Sequence, residues 1–461
     1  MAGRTAVAAK GNGKKMAGTT ATKGQERKVT GITAVPTKGA QRTMASAPAA
    51  AAAAAPKTVR VPINNVYGGG DYTAQLTVGS QGAVVNVIMD TGSSTLAVKQ
   101  GTYKPKLDKD LKPSAYAQDV AYGTGGWAGP VVTTGLTMGI AGNTVTLQNS
   151  QIAVADDQQP HNFGAADGIL GLAYNALNSA YNLASYLQGR GINPAVTYPW
   201  PFPVKNSSAA LAQLQQLMSK MPQDDIPPYF TEIESNGITA NKFAFYTLRS
   251  VPSFASAQIA QNPLNNGFFI LGGGAEQTDL YQPGASFVNV DVVDDAWYNT
   301  NLKAVQVEGC AAVNVLPLPT KYAQSMISNS IIDSGTNSLA VSKDVLTAIM
   351  QSLNSLNPQF VQLAEQAAKQ GGIPASQLDL SKWPSISFIL AGDTGQDVTL
   401  TCSPQTYWQV DAPKAGQAVF QINDMGSIQS ILGLPLLNNY YTVFDRSLDS
   451  YGSIRFAPIK T

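Results

Sequence analysis

Downstream of Val59 the chain alternates apolar and polar residues in short runs. YTAQLTV (72–78), AVVNVIM (83–89), STLAV (94–98), QDVAYG (118–123), GPVVTTGLTM (129–138) and NTVTLQNSQIAVA (143–155) follow one another with glycine-rich breaks between them. A period of two, rich in Val and Thr, predicts half-buried strands joined by turns. Residues 174–242 break the pattern. NSSAALAQLQQLMSKM (206–221) predicts an amphipathic helix opened by Ser or Asn, and 191–204, with four prolines, predicts a loop. Strand signals return at KFAFYTL (242–248) and GFFILGG (267–273), then at 286–293, 301–307 and 329–333. SKDVLTAIMQSL (342–353) has apolar residues at 345, 346, 349, 350 and 353, one face of a helix. SISFILAG, DVTLTC and YYTVFDR close the chain as further strands.

The pattern contains one unit twice. VNVIMDTGSSTLAV (85–98) and SIIDSGTNSLAV (330–341) each set Asp-(Thr/Ser)-Gly-(Ser/Thr) between two apolar runs. Each has a follower, Ile169-Leu170-Gly171-Leu172 after the first and Ile431-Leu432-Gly433-Leu434 after the second. Repetition of a motif with its flanks and its follower marks a duplicated lobe. The expected fold is mostly β: two pseudo-twofold-related lobes with a cleft between them, Asp90 and Asp333 meeting there. The expected limits are 58–248 for the first lobe, with a helical insertion at about 174–242, and 249–461 for the second.

Composition refines this picture. An apolar fraction of 44% in 461 residues suffices for two cores, while charged residues, at 13%, fall well below the usual quarter. Residues 1–60 hold eleven Lys or Arg and one acid, Glu26, leaving 19 basic and 28 acidic residues in 61–461. An acidic body argues against a nucleic-acid surface, and the basic stretch shows no nucleic-acid-reading motif. Residues 1–57, rich in Lys, Thr, Gly and Ala and ending in ASAPAAAAAAAP, cannot form a core and predict a low-complexity, disordered extension. A targeting or inhibitory pro-segment is the other reading. No run has the length of a membrane span and no leucine-rich secretory core stands at the N-terminus. Cytoplasmic, periplasmic and secreted locations therefore all stay open.

The scarce residues exclude several chemistries. His161, the single histidine, stands in DDQQPHNFG, a predicted loop, and is no candidate for a nucleophile triad. Cys310 and Cys402 lack zinc-site spacing; they form either one disulfide of the second lobe or two reduced thiols. No metal and no cofactor is expected. Two carboxylates pressed together do suffice for chemistry. They cannot both ionise readily, so they share a proton. One can then take a proton from water while the other hydrogen-bonds a carbonyl oxygen, giving a tetrahedral diol with no covalent intermediate. Gly92 and Gly335 would let the backbone turn tightly beside the carboxylates. Thr91, Ser93, Ser334 and Thr336 offer hydroxyls to bond across the pair or to the carboxylates.

Over 60–461 the chain resembles the pepsin-like aspartic endopeptidases, as a divergent member. The two Asp-containing motifs, ADGILGLAY (166–174) and YYTVFDR (440–446), carry the resemblance. It implies that Asp90 and Asp333 are the catalytic pair and that Tyr122, with Gly123 and Thr124 in VAYGTGGWAG, belongs to a flap closing over substrate. Ile88 and Ile169 are core residues or walls of a substrate subsite. The resemblance implies an acid-active, monomeric endopeptidase acting on extended polypeptides, with apolar residues at the cut and inhibition by pepstatin-like compounds. A binding or inhibitor protein on the same fold, without turnover, is the alternative. Two departures stand out. Ala97 occupies a place where many relatives have tryptophan, with Trp127 as its candidate replacement. Asn337 stands where Ser or Thr is common.

Overall fold

The computed structural model describes residues 56–122, 125–155, 157–158, 163–200, 208–424, 426–448 and 450–460. The N-terminal extension, up to residue 55, and His161 lie outside them.

The chain begins as a meander. Strands Val59–Gly68, Asp71–Val78 and Ala83–Asp90 pair antiparallel in sequence, with Ile63 opposite Ala74 and Thr73 opposite Ile88. Val85, Val87 and Met89 are fully buried, and the alternation predicted from the sequence is the physical reason for the register. The next hairpin is longer than its two sequence runs suggest. Lys112–Tyr122 pairs with Gly125–Ile140, Val120 facing Trp127 and Tyr122 facing Gly125. Gly125–Ile140 then continues into Asn143–Ala155. The insertion holds helices Ala184–Gly189, Ser208–Met218 and Tyr229–Ser235.

The duplication seen in the sequence is also a duplication of strand pairing. Ala83–Asp90 runs parallel to Gly168–Gly171, placing Asp90 opposite Gly171, and Leu96–Lys99 runs antiparallel to the same strand. In the second lobe Ser330–Ile332 runs parallel to Ser430–Leu432, and Leu339–Val341 runs antiparallel to it. Each aspartate thus sits at the end of a strand whose neighbour carries the Ile-Leu-Gly follower.

The halves are joined by shared strands. Val59–Gly68 pairs with Asn266–Leu271, then Lys242–Tyr246, Tyr440–Asp445, Ser453–Pro458 and Val288–Asp291 follow in order. Phe243, Phe245, Phe269 and Phe444 are buried where they meet. The rings of Phe243 and Phe444 stack 5.1 Å apart, and Tyr298 meets Phe444 edge-on at 4.6 Å. Each such ring contributes about 1.5–3 kcal/mol by leaving water, so this seam is a large part of what holds the halves in register.

Helix Lys343–Leu356 buries Val345, Ala348, Ile349 and Leu353, the face expected from its spacing. A second helix, Pro358–Gln370, follows it and was not foreseen. Asn357 caps it by accepting from Gln359 N–H at 3.0 Å, Pro358 opens it, and Gly371 ends it at φ 71°. Of the two alternatives for the cysteines, the structure takes the reduced one. Cys402 is fully buried and directs its thiol to Pro435 O at 3.2 Å, whereas Cys310 faces Ser352 O and Ser355 Oγ, each at 3.6 Å. The two thiols face different neighbours, so no bridge forms. Among the described residues no helix is long and apolar enough to cross a membrane.

Candidate active site

The two Asp-Thr/Ser-Gly loops lock together through a crossed set of hydrogen bonds. Thr91 N–H donates to Ser334 Oγ at 3.1 Å, and Ser334 N–H donates to Thr91 Oγ1 at 2.9 Å. Each hydroxyl donates onward across the pair, Thr91 to Ile332 O at 3.1 Å and Ser334 to Met89 O at 2.8 Å. Both residues are buried, so every donor and acceptor in this square has to be satisfied within the protein.

Within each loop the carboxylate is held by its own following residues. Asp90 Oδ1 accepts from Gly92 N–H at 2.7 Å, and its Oδ2 accepts from Ser93 Oγ at 2.5 Å. Asp333 repeats this, accepting from Gly335 N–H at 2.8 Å and Thr336 Oγ1 at 2.6 Å. The four hydroxyls therefore divide their work: Thr91 and Ser334 bind loop to loop, while Ser93 and Thr336 orient the carboxylates. The glycines have a reason other than the tight turn expected of them, since neither takes a left-handed φ. A Cβ on Gly92 would come within 2.8 Å of the Asp333 carboxylate, and one on Gly335 within 2.2 Å of Asp90 Oδ1. Absence of a side chain lets each carboxylate lie against the opposite loop.

Both aspartates are only 6% exposed. Burial first, and the charge of Asp333 second, push Asp90 well above the usual carboxylate range. Asp90 therefore keeps its proton where an isolated carboxylate has lost it. A third acid, overlooked in the sequence, joins them. Asp71 opens the strand leading toward the first motif, and its Oδ1 is out of contact with solvent and has no hydrogen-bond partner among the described residues. Burial, then the charges of Asp333 and Asp90, raise it too. Two residues before it, Gly69 O accepts from Asn337 Nδ2 of the second loop at 3.5 Å.

Two further residues anchor the first loop from the second lobe: Trp297 lies in no motif, and Arg446 closes YYTVFDR without that motif revealing its contact. Trp297 Nε1 donates to Gly92 O at 3.0 Å. Arg446 lies among three rings, 4.1 Å from the centre of Tyr174, 4.9 Å from Phe230 and 5.4 Å from Tyr298. It donates to Tyr298 Oη at 2.8 Å and to Leu172 O, and Leu172 N–H donates to Asp90 O at 2.7 Å. The Asp445 carboxylate beside it serves a local turn, accepting from Ser447 N–H at 3.1 Å, with Arg455 at 3.8 Å.

Ile88 and Ile169 face each other across the parallel pair and belong to a small cluster with Ala97, Trp127 and Phe163. Trp127 is fully buried there. An indole reaching in from the hairpin thus shares a cluster with the small Ala97 side chain. Tyr122 ends its strand opposite Gly125, while Gly123 and Thr124 lie outside the described residues.

Comparison with known proteins agrees with this geometry. The chain is 24% identical over 426 residues to cathepsin E of Aquarana catesbeiana, covering 88% of this chain and 83% of that protein. It is 28% identical over 130 residues to rhizopuspepsin-5 of Rhizopus niveus, a match spanning 26% of this chain and 33% of the relative. Rhizopuspepsin-3 of the same organism matches equally over 130 residues, 26% of this chain and 32% of the relative. The match to the rhizopuspepsins thus spans about a third of their length. The eukaryotic aspartyl protease family matches residues 71–188 and 232–458. Both aspartates and the strands that carry them fall inside that match, and the chain belongs to the eukaryotic aspartyl protease family.

Proposed function

We propose that the protein is an endopeptidase that hydrolyses internal peptide bonds under acidic conditions, with Asp90 and Asp333 as its catalytic pair. The observation that carries this reading is the crossed Thr91–Ser334 bonding, which brings two buried carboxylates against each other's loops with all the supporting hydroxyls in place. A shared proton gives the pair one acid and one base at once. The base takes a proton from water as its oxygen attacks the scissile carbonyl carbon, and the acid gives its proton to the carbonyl oxygen, forming a neutral diol. The carboxyl that took the water's proton then passes it to the amine nitrogen, the other carboxylate takes back a proton from a diol hydroxyl, and the C–N bond breaks to leave acid and amine.

An extended polypeptide suits the tip of the hairpin, adding its backbone as a strand along the part of Lys112–Tyr122 beyond Ala117, where among the described residues no neighbouring strand pairs with its outer edge. Ile88 lies two residues before Asp90 on the same strand and so on the same face, and with Ile169 it offers an apolar wall beside the pair. This supports a preference for apolar residues at the cut.

The test is cleavage of an unfolded protein from pH 3 to 7, with and without pepstatin, by the intact chain, Asp90→Asn and Asp333→Asn. Acid-favoured, pepstatin-blocked cleavage lost in both variants is expected. A folded chain that cleaves nothing, with or without residues 1–57, would instead support a binding protein on the protease fold.

A further inference from the structure

A cavity of about 500 Å³ opens at one end of the strands that join the two halves. It shares no lining residue with the two aspartate loops. Leu248 and Leu264 come from the connection between strands Lys242–Tyr246 and Asn266–Leu271, Val410 and Leu380 from the second lobe, and Ile459 from the C-terminus. These make an apolar wall. Among the described residues of the lining none is Asp or Glu, and the one charge is Arg249.

The polar groups around this wall are underused. Asn438 is 4% exposed, lines the cavity, and leaves both Oδ1 and Nδ2 without a hydrogen-bond partner among the described residues. Trp408 lines it as well, fully buried, and its Nε1–H is likewise unpaired. Arg249 donates from Nε to Val251 O at 3.3 Å and from Nη2 to Val410 O, but among the described residues no carboxylate stands within ion-pairing distance of it. Asp411, whose charge reaches Arg249, spends Oδ1 on Gly416 N–H at 2.8 Å. A half-buried cation without a counter-ion and a buried amide without partners are each costly. Their occurrence in the lining of one cavity has a simple explanation if something fills it.

We propose that this cavity binds a small aliphatic carboxylate, its charge facing Arg249 and the Asn438 amide and its chain lying on the apolar wall. The donors match a monoanion: one guanidinium and one amide N–H. Five aliphatic walls match a body of a few carbons better than they match phosphate, which would demand more charge. Arg249 also fastens the connecting segment to the second lobe through Val410, as does Phe254 N–H, which donates to Asp411 O at 2.8 Å. Occupancy would therefore stiffen that segment.

Calorimetric titration of the full chain with 4-methylpentanoate, and with the uncharged 4-methylpentanamide, tests this. Saturable one-to-one binding of the acid is expected, with the amide about tenfold weaker or more, the usual cost of losing one charge-assisted hydrogen bond. Arg249→Gln should weaken the acid by a similar factor. Because Arg249 also holds the segment, Asn438→Asp is the second variant: it keeps the shape, and at neutral pH its carboxylate repels the acid while sparing the amide. Asp90→Asn should bind as the parent does. No saturable heat, equal binding of acid and amide, or binding indifferent to both cavity variants would each overturn the proposal, and loss of binding in Asp90→Asn would move the site to the cleft.

Discussion

Thr91 and Ser334 are each bonded to the other's backbone, N–H to hydroxyl, at 3.1 and 2.9 Å, although 243 residues separate them. Two loops from the two halves are tied at the residues immediately after the aspartates. Placement of the carboxylates therefore depends on a bond neither lobe can make by itself. Thr91→Val keeps the volume but leaves the Ser334 N–H buried without an acceptor. Such a group costs about 1–3 kcal/mol. Denaturant midpoints should fall accordingly in Thr91→Val and in Ser334→Ala, with kcat falling alongside. The double variant should cost less than the sum, because the second deletion removes an already broken square. Strict additivity of the two losses would show that the bonds act separately.

Glu232 gives a second prediction, on pH. It lies on helix Tyr229–Ser235 and accepts from Ser150 Oγ on strand Asn143–Ala155; burial pushes it up to about 7 despite that bond. A carboxyl whose folded value exceeds its unfolded one contributes nothing unfavourable while protonated in both states. As pH rises above the unfolded value near 4.5, the unfolded chain loses the proton first, and stability falls until pH passes about 7. The loss is on the order of 2 kcal/mol once solvent screening is allowed for. Asp90 and Asp71, both raised, add to the slope in the same direction. Glu232→Gln should match the parent's melting temperature at pH 4 and exceed it at pH 7.5. A parent melting temperature that rises from pH 4.5 to 7.5 would contradict the assignment.

Much of this was legible in the chain because it repeats. Period-two runs gave the strands of the first lobe, and the doubled motif gave the two aspartates and their hydroxyls before any geometry was known. What escaped was carried by single residues with no local pattern. Asp71 reads as an ordinary strand-opening acid; only folding sets it beside two others. Trp297 meets the first loop across more than two hundred residues with no motif to mark it, and YYTVFDR marks Arg446 without showing which loop it reaches. Helix Pro358–Gln370 did leave a trace, in its Asn-Pro opening and Gly-Gly end, but its apolar positions are thinned by Gln and Ala.

Trp127 and Ala97 make a third prediction, as occupants of one cluster. Trp127→Ala removes a fully buried indole and should cost about 3–5 kcal/mol. Ala97→Trp should also destabilise, by about 1–3 kcal/mol, because the space is already filled. Combined, the large ring is supplied from the opposite side, and stability should recover part of the first loss. If the combined variant is as unstable as the two losses summed, the residues do not exchange volume.

Trp297 supplies the last prediction. Its indole N–H reaches Gly92 O at 3.0 Å, so one hydrogen bond from the second lobe fixes the peptide next but one to Asp90. Gly92 N–H is itself a donor to Asp90 Oδ1 at 2.7 Å, and the glycine faces the Asp333 carboxylate. A tilt of this loop would move both contacts at once. Trp297→Phe retains a ring but deletes the donor, an interaction worth about 0.5–1.5 kcal/mol. If that bond serves the pair's geometry, kcat should drop about three- to tenfold while the melting temperature stays near the parent's. The acidic limb of the pH–rate profile should shift, because the Gly92 N–H that the loop presents to Asp90 lowers that carboxyl's affinity for its proton. Trp297→Ala should add a loss of stability to the same kinetic defect. A Phe variant with the parent's kcat and pH profile, beside a damaged Ala variant, would leave Trp297 with packing alone as its role.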